Sequence, residues 1–329
     1  MVKSLIIGGG GVGLGIASCL LKAESSVSIA SRPATRDQVA KSGLTRTGIF
    51  GDFHAPPGDF AIYSDLEQIP PTPFDFLLIC VKSFDPAAVA RDLASHPVLV
   101  SPETKILLFQ NGYGNFETFA DHFPPERIFL ARVITGFYLT DRHQVEVTVH
   151  AAPILIGNPL SPSSAEIADL CAAISRGGIP TEPTPHIVRD LWAKILYNSM
   201  LNPLGAIFGA TYGALGDSPH SRWLMEQVAD EAFAVMDACN ISTHWPDVVP
   251  FLEAFYGQML PPTRGHESSM LQSIRNGQRT EIDALNGAVV HLGGQSGIDT
   301  PHNRTVVELI KFLEKQNSHR VDKETPPRR

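Results

Sequence analysis

The chain has 329 residues, length enough for two domains at ~150 residues each. Apolar residues make up 43% and the mean hydropathy is +0.01, which argues against disorder of the whole chain. Lys plus Arg number 26 against 34 Asp plus Glu, a net charge of −8. That balance argues against a general nucleic-acid or anionic-membrane binder, both of which need a basic surface, but leaves room for a local basic pocket.

Residues 3–7 are short, apolar and followed by glycine, the pattern of a buried parallel strand. A helix packed closely on a sheet is expected over 11–23. Further strands are expected at Val27–Ala30, Phe76–Val81 and Lys105–Phe109, with helical segments near 36–43, 85–96 and 115–122. Weaker strand signals follow at 128–135, 145–149 and 153–157. Alternating strands and helices predict an α/β fold with a doubly wound parallel sheet of Rossmann type. Pro180, Pro183 and Pro185 punctuate a linker-like stretch from Ile179 to His186. Beyond it the pattern is helical over 187–201, 219–239, 246–256, 281–296 and 301–315. The expected organisation is a Rossmann-type domain over 1–184, an all-helical domain over 185–315 and a disordered polar tail over 316–329.

Cys19, Cys80, Cys171 and Cys239 form no CxxC and no short Cys/His pair, so no metal site is expected. Their scatter fits reduced thiols. With no leader-like N-terminus and no apolar run of membrane-spanning length, the expectation is a cytoplasmic protein that contacts neither membrane nor nucleic acid. The apolar surface of the helical part leaves room for a homodimer.

Gly8-Gly9-Gly10-Gly11-Val12-Gly13 fits G-x-G-x-x-G between the first strand and the first helix. One glycine permits the tight turn, one lets the backbone approach a pyrophosphate, and one allows close helix–strand packing. The helix N-terminus presents unpaired N–H groups to phosphate. Gly8, Gly10, Gly11, Val12 and Gly13 are therefore candidate cofactor-binding residues, against the alternative of a purely structural turn. NAD selection uses an Asp or Glu at the end of the second strand. Here the sequence is Ala30-Ser31-Arg32, with Arg36 close behind. A guanidinium there favours a 2′-phosphate through forked hydrogen bonds, so NADP(H) is the expected cofactor, with Arg32 the main determinant and Ser31 and Arg36 assisting.

Lys82 and Asn111 follow the third and fourth strands, at the carboxyl ends where doubly wound sheets bind ligands. An Asn-Gly pair also forms turns for backbone reasons alone. In the helical part, Lys194, Asn198 and Asn202 are spaced i, i+4, i+8 among Leu191, Trp192, Ile195, Leu196 and Leu201. A lysine and two amides on a buried face are unfavourable unless they line a polar site. Pro203 is expected to kink or end that helix. Further on, Thr280 and Asp283 resemble a capping box that would put Glu281 in the first turn of a helix, where a carboxylate is stabilised.

With these motifs the chain resembles the ketopantoate reductases. The resemblance runs from the glycine loop to about residue 315. It rests on Lys194-x3-Asn198-x3-Asn202-Pro203-Leu204, Ser268-Ser269-Met270-Leu271-Gln272 and Arg279-Thr280-Glu281-Ile282-Asp283-x2-Asn286-Gly287, with Cys80-Val81-Lys82 and Gln110-Asn111-Gly112 in support. It implies NADPH-dependent reduction of a small-molecule 2-keto acid to its 2-hydroxy acid. Lys194 would be the general acid, with Glu281 orienting it and contacting the bound ligands. Asn198, Asn202 and Ser269 would bind substrate, Lys82 would sit at the cofactor, and Asn111 would serve both. Two positions depart from the family pattern, each where an asparagine is frequent. One is Tyr212, ten residues past Asn202, and the other is His266, three before Ser269. Both bear on the identity of the substrate.

Overall fold

The structure, a computed structural model, describes residues 2–324 except Phe84, Asp85 and Ser164, with side chains described through Asn317. The chain forms two compact units, Met1–Gln110 with Asn115–Ile187 and Asn111–Gly114 with Val188–Arg329.

The first unit contains, in order, β1 (Lys3–Ile7), α1 (Gly11–Lys22), β2 (Ser26–Ala30), α2 (Pro33–Ser42), β3 (Leu44–Gly48), β4 (Phe53–Ala55), β5 (Ala61–Tyr63), β6 (Phe76–Ile79), α3 (Pro86–Ala94), β7 (Lys105–Leu108), α4 (Asn115–Ala120), β8 (Ile128–Arg132), β9 (Thr135–Asp141), β10 (Gln144–His150), β11 (Ile154–Gly157), α5 (Ala168–Arg176) and β12 (Thr181–Pro183). The main sheet has the order β12-β11-β8-β7-β6-β1-β2-β5. Its strands are apolar on both faces because both faces are covered. Ile6, Leu78 and Leu107 enter one core, and their neighbours Leu5, Leu77 and Ile106 enter the other. Strand order reverses at β1, with β2 on one side and β6 on the other. This is the switch point at which such sheets take ligands.

The sheet departs from the expected all-parallel form. β11 runs antiparallel to β8, and β12 adds an edge strand inside the stretch expected to be a linker. The edge position tolerates Pro183, which has no N–H to donate. A second sheet of order β4-β3-β10-β9 takes up the weak strand signal near 145–149. Val145 and Val147 turn inward onto the α1 core while Glu146 and Thr148 stay outside it. This sheet is therefore one-sided, unlike the main one.

The second unit contains α6 (Ile187–Phe208), α7 (Tyr212–Asp217), α8 (Pro219–Ala238), α9 (Val248–Ala254), α10 (Ser269–Arg275), α11 (Asn286–Ser296) and α12 (Pro301–Glu324). Its core gathers Leu196, Met200, Val228, Phe251, Phe255 and Ile310, among others. One expectation is corrected here, and the alternative of a helix end at Pro203 is removed. α12 continues to Glu324, through most of the expected tail, since no proline or glycine interrupts it before Pro326; residues 325–329 lie outside the described residues. α6 does not end at Pro203 but passes through it. Proline leaves the carbonyl four residues back without its helical donor, and here Asn286 Nδ2 donates to that Ser199 oxygen at 3.1 Å. Among the described residues, no helix is long and apolar enough to cross a membrane.

Candidate active site

In the first unit, the glycine loop is built from close approaches. Gly8 has φ of +121°, and a Cβ there would meet the Cys80–Val81 peptide at 2.8 Å. A Cβ on Gly13 would lie 1.9 Å from the Gly8 oxygen, and one on Gly11 would lie 2.7 Å from the Phe137 oxygen. These glycines let α1 start directly beside β1. Gly10 differs: a Cβ there would meet nothing within 4 Å. Gly10 caps α1 without a side chain, so no side-chain cap takes the first N–H groups of the helix. Val12 is half-buried in that first turn. An open approach to uncapped N–H groups fits a dinucleotide phosphate.

β1 and β2 pair in parallel with Ile7 opposite Ala30, which sets Ser31 beside the loop. A Cβ on Gly9 would come within 2.2 Å of Ser31 Oγ. Arg32 is exposed immediately after β2, as the residue preceding α2. Arg36 lies one turn into α2, its Nε 3.1 Å from Asp37. Lys82 is exposed three residues past the end of β6.

In the second unit, three predicted residues come together. Lys194 Nζ donates to Asn111 Oδ1 at 2.5 Å, and Asn111 Nδ2 donates to Glu281 Oε2 at 2.8 Å. An ammonium on one side and a carboxylate on the other leave the amide one consistent orientation. Asn111 reaches this place because Gly112, at φ +84°, packs on Ala284 with no room for a Cβ, and Tyr113 N donates to Ala284 O at 2.9 Å. The Asn-Gly turn thus serves both the backbone and the site.

Glu281 is not inside the first turn of α11. It precedes a single 3-10 turn, Ile282–Ala284, and α11 starts only at Asn286. Thr280 Oγ1 does accept from Ile282 N, at 3.3 Å, but the hydroxyl donates to Glu314 at 2.7 Å, and Asp283 pairs with Lys311. With Asp283 drawn to α12, no capping box closes.

Asn198 is half-buried between Lys194 and Asn202 on α6. Asn202 is buried, its Oδ1 accepting from the Tyr212 hydroxyl at 2.7 Å and its backbone oxygen from Ser268 Oγ at 3.0 Å. Ser268 also caps α10 through Leu271 N at 3.0 Å. Ser269 is exposed as the first residue of α10 and does not join the Lys194 cluster. Tyr212 lies edge-on to His266, ring centroids 5.2 Å apart. Burial pushes the Tyr212 phenol well above its usual range, so it stays a neutral donor. The sequence shows Tyr212 as a departure, but its bond to Asn202 was invisible there. Ser268, hidden in a Ser-Ser pair, could have been found as the helix cap.

All four cysteines are free thiols; Cys19, Cys80 and Cys171 are buried, and burial pushes Cys171 up to about 12. Among the described residues no group of three or more metal-ligating side chains gathers.

Residues 4–159 match the family model described as "Ketopantoate reductase PanE/ApbA", and residues 186–314 match "Ketopantoate reductase PanE/ApbA C terminal". A 2-dehydropantoate 2-reductase of Aquifex aeolicus (strain VF5) is 34% identical over 317 residues, covering 95% of this chain and 97% of that protein. The crystal structure of a PanE/ApbA family ketopantoate reductase from Ralstonia eutropha JMP134 superposes with a TM-score of 0.81 at 26% identity, covering 96% of this chain and 100% of that one. D-mandelate dehydrogenase, solved with NADH and anilino(oxo)acetate, superposes at 0.83 with 21% identity, covering 96% and 99%, and shares the fold.

Proposed function

The chain belongs to the ketopantoate reductase family, and from that premise we propose that it catalyses the NADPH-dependent reduction of 2-dehydropantoate to pantoate, the 2-hydroxy acid used in pantothenate and coenzyme A synthesis. It is an oxidoreductase acting on CH–OH groups, with a nicotinamide cofactor and a small keto acid substrate. The observation that carries the reading is the relay Lys194–Asn111–Glu281.

The nicotinamide supplies a hydride to the keto carbon when bound. Lys194 Nζ donates the matching proton to the carbonyl oxygen, which gains charge as the carbon is reduced. Asn111 and Glu281 aim the ammonium, because a fixed amide accepts from it and a carboxylate anchors the amide. Asn198 and Asn202 follow Lys194 at successive turns of α6 and hold the acid. The exposed Ser269 meets its carboxylate. Gly8, Gly10, Gly11, Val12 and Gly13 receive the pyrophosphate, with Lys82 assisting. Arg32, aided by Ser31 and Arg36, receives a 2′-phosphate, so NADPH is preferred. The proposal extends to a cytoplasmic homodimer, which sedimentation would check.

A panel of 2-keto acids assayed with NADPH and NADH tests the reading. Turnover of 2-dehydropantoate with NADPH as the better cofactor is expected, and Arg32→Ala should lower the NADPH preference by about tenfold or more, the worth of a charge-assisted hydrogen bond. A higher kcat/KM with NADH would remove Arg32 from this role. A second reading, a different 2-keto acid, is favoured by one observation: the Tyr212 hydroxyl already donates to the Asn202 amide oxygen and takes one of its two lone pairs. Reduction of another 2-keto acid with none of 2-dehydropantoate would establish it.

A further inference from the structure

Pro203 removes one rung from α6, the helix that carries Lys194, Asn198 and Asn202. The orphaned oxygen is that of Ser199, which is 1% exposed and lies between the two asparagines. Asn286, fully buried at the start of α11, donates one Nδ2 hydrogen to that oxygen at 3.1 Å and the other to Asn303 Oδ1 at 3.0 Å. Asn303, also fully buried, is held by Glu231 of α8, which accepts from its Nδ2 at 2.8 Å and its backbone N at 2.9 Å. The same carboxylate accepts from His302 N at 2.8 Å. The gap in α6 is therefore closed by an amide whose orientation is set by two other helices.

We propose that Asn286 is a positioning residue of the reaction: by replacing the N–H that Pro203 lacks, it keeps α6 continuous through residue 203 and so keeps Asn202 on the face of Lys194. The inference rests on the reading above, that this face takes a 2-keto acid. A helix freed at Ser199 could turn Asn202 away from Lys194 without disturbing the glycine loop of the other unit. Asn286 touches neither Lys194 nor Asn202 in any hydrogen bond described above, so its influence passes through the Ser199 carbonyl.

Pro203→Ala restores the missing N–H and makes the test specific. Asn286→Ala is expected to raise KM for 2-dehydropantoate about tenfold while the NADPH Kd stays within about twofold. With Pro203→Ala also present, the Asn286→Ala change in KM should shrink to less than about threefold. Hydrogen exchange at the amides of 200–206 should accelerate in Asn286→Ala and recover in the double variant. An unchanged KM, an equal loss in both backgrounds, or unaltered exchange in α6 would overturn the proposal. If Asn286→Ala alone fails to fold, the double variant must fold with near wild-type KM; its failure counts against the proposal equally. Should the wild-type protein reduce no 2-keto acid, the functional reading falls, and the exchange measurements still decide what Asn286 does.

Discussion

Lys194 donates to the amide oxygen of Asn111 at 2.5 Å across 83 residues of chain. The same amide donates to Glu281, so a neutral side chain couples a cation to an anion. Such a bridge fixes where the ammonium proton points. Lys194→Ala is expected to lower kcat by about two to four orders of magnitude, the usual span for a lost general acid, with NADPH affinity nearly kept. Asn111→Asp should be nearly as damaging as Asn111→Ala, although it keeps an acceptor for Lys194, because it sets a second carboxylate against Glu281. Steady-state kinetics beside fluorescence titration of NADPH separate the two effects. Full activity in Lys194→Ala would remove it as the acid.

Two glycines of the loop should behave in opposite ways. Gly13 cannot carry a Cβ, because the Gly8 oxygen would be 1.9 Å away. Gly10 can, since nothing lies within 4 Å and its φ of −85° suits alanine. Gly13→Ala is therefore expected to lose folded protein or melting temperature. Gly10→Ala should melt like the wild type yet bind NADPH at least about tenfold more weakly, because a methyl group stands where a phosphate must approach the backbone. Thermal melts paired with calorimetric titration make the comparison. Unchanged binding in Gly10→Ala would take the loop out of phosphate recognition.

These contrasts show where a sequence is legible and where it is not. The uninterrupted apolar run at Phe76–Val81 announces a strand buried on both faces, and the glycine loop after Lys3–Ile7 announces the turn into α1. β3 carries no such signal. Its Arg46 would be placed at a surface, yet it is fully buried, with Nη1 donating to Gly177 O at 2.9 Å. Without β3, β10 has no visible partner to link it to β4. In the site, the spacing of Lys194, Asn198 and Asn202 is local and readable. The bond from Asn111 to Glu281 spans 170 residues, and no local pattern encodes it. Pro203 reads as a helix break because its remedy, Asn286, acts on Ser199 from 87 residues away.

Tyr212 should tune selection of the substrate. Its hydroxyl donates to Asn202 Oδ1 and takes up one of that oxygen's two lone pairs, so a ligand hydroxyl shares the acceptor with it. 2-Dehydropantoate carries a terminal hydroxyl whose proton needs an acceptor. The ratio of kcat/KM for 2-dehydropantoate to that for 3,3-dimethyl-2-oxobutanoate, the same acid without the hydroxyl, reads how well that proton is accepted. Tyr212→Phe removes the competing donor at Oδ1, and the ratio should shift toward 2-dehydropantoate by about two- to tenfold, the worth of one hydrogen bond. No shift in the ratio would show that Asn202 does not meet the hydroxyl.

His150 gives stability a pH dependence of known sign. Its ring sits edge-on to Phe50 at 5.0 Å, and its Nδ1 lies 2.9 Å from Thr135 Oγ1. Partial burial first, and then the charge of Arg132, hold the imidazole below its ordinary value of 6.5. Near pH 8 the ring is neutral in both the folded and the unfolded chain, and it contributes no pH dependence. As pH falls through 6.5 the unfolded chain takes up the proton before the folded one does, so folding stability drops until the lowered value is passed. Urea midpoints measured from pH 8 to pH 5 should therefore fall more steeply in the wild type than in His150→Asn, and the two curves should run parallel above pH 7. An equal slope for both proteins between pH 6.5 and pH 5 would mean that the folded protein accepts the proton at His150 as readily as the unfolded chain does.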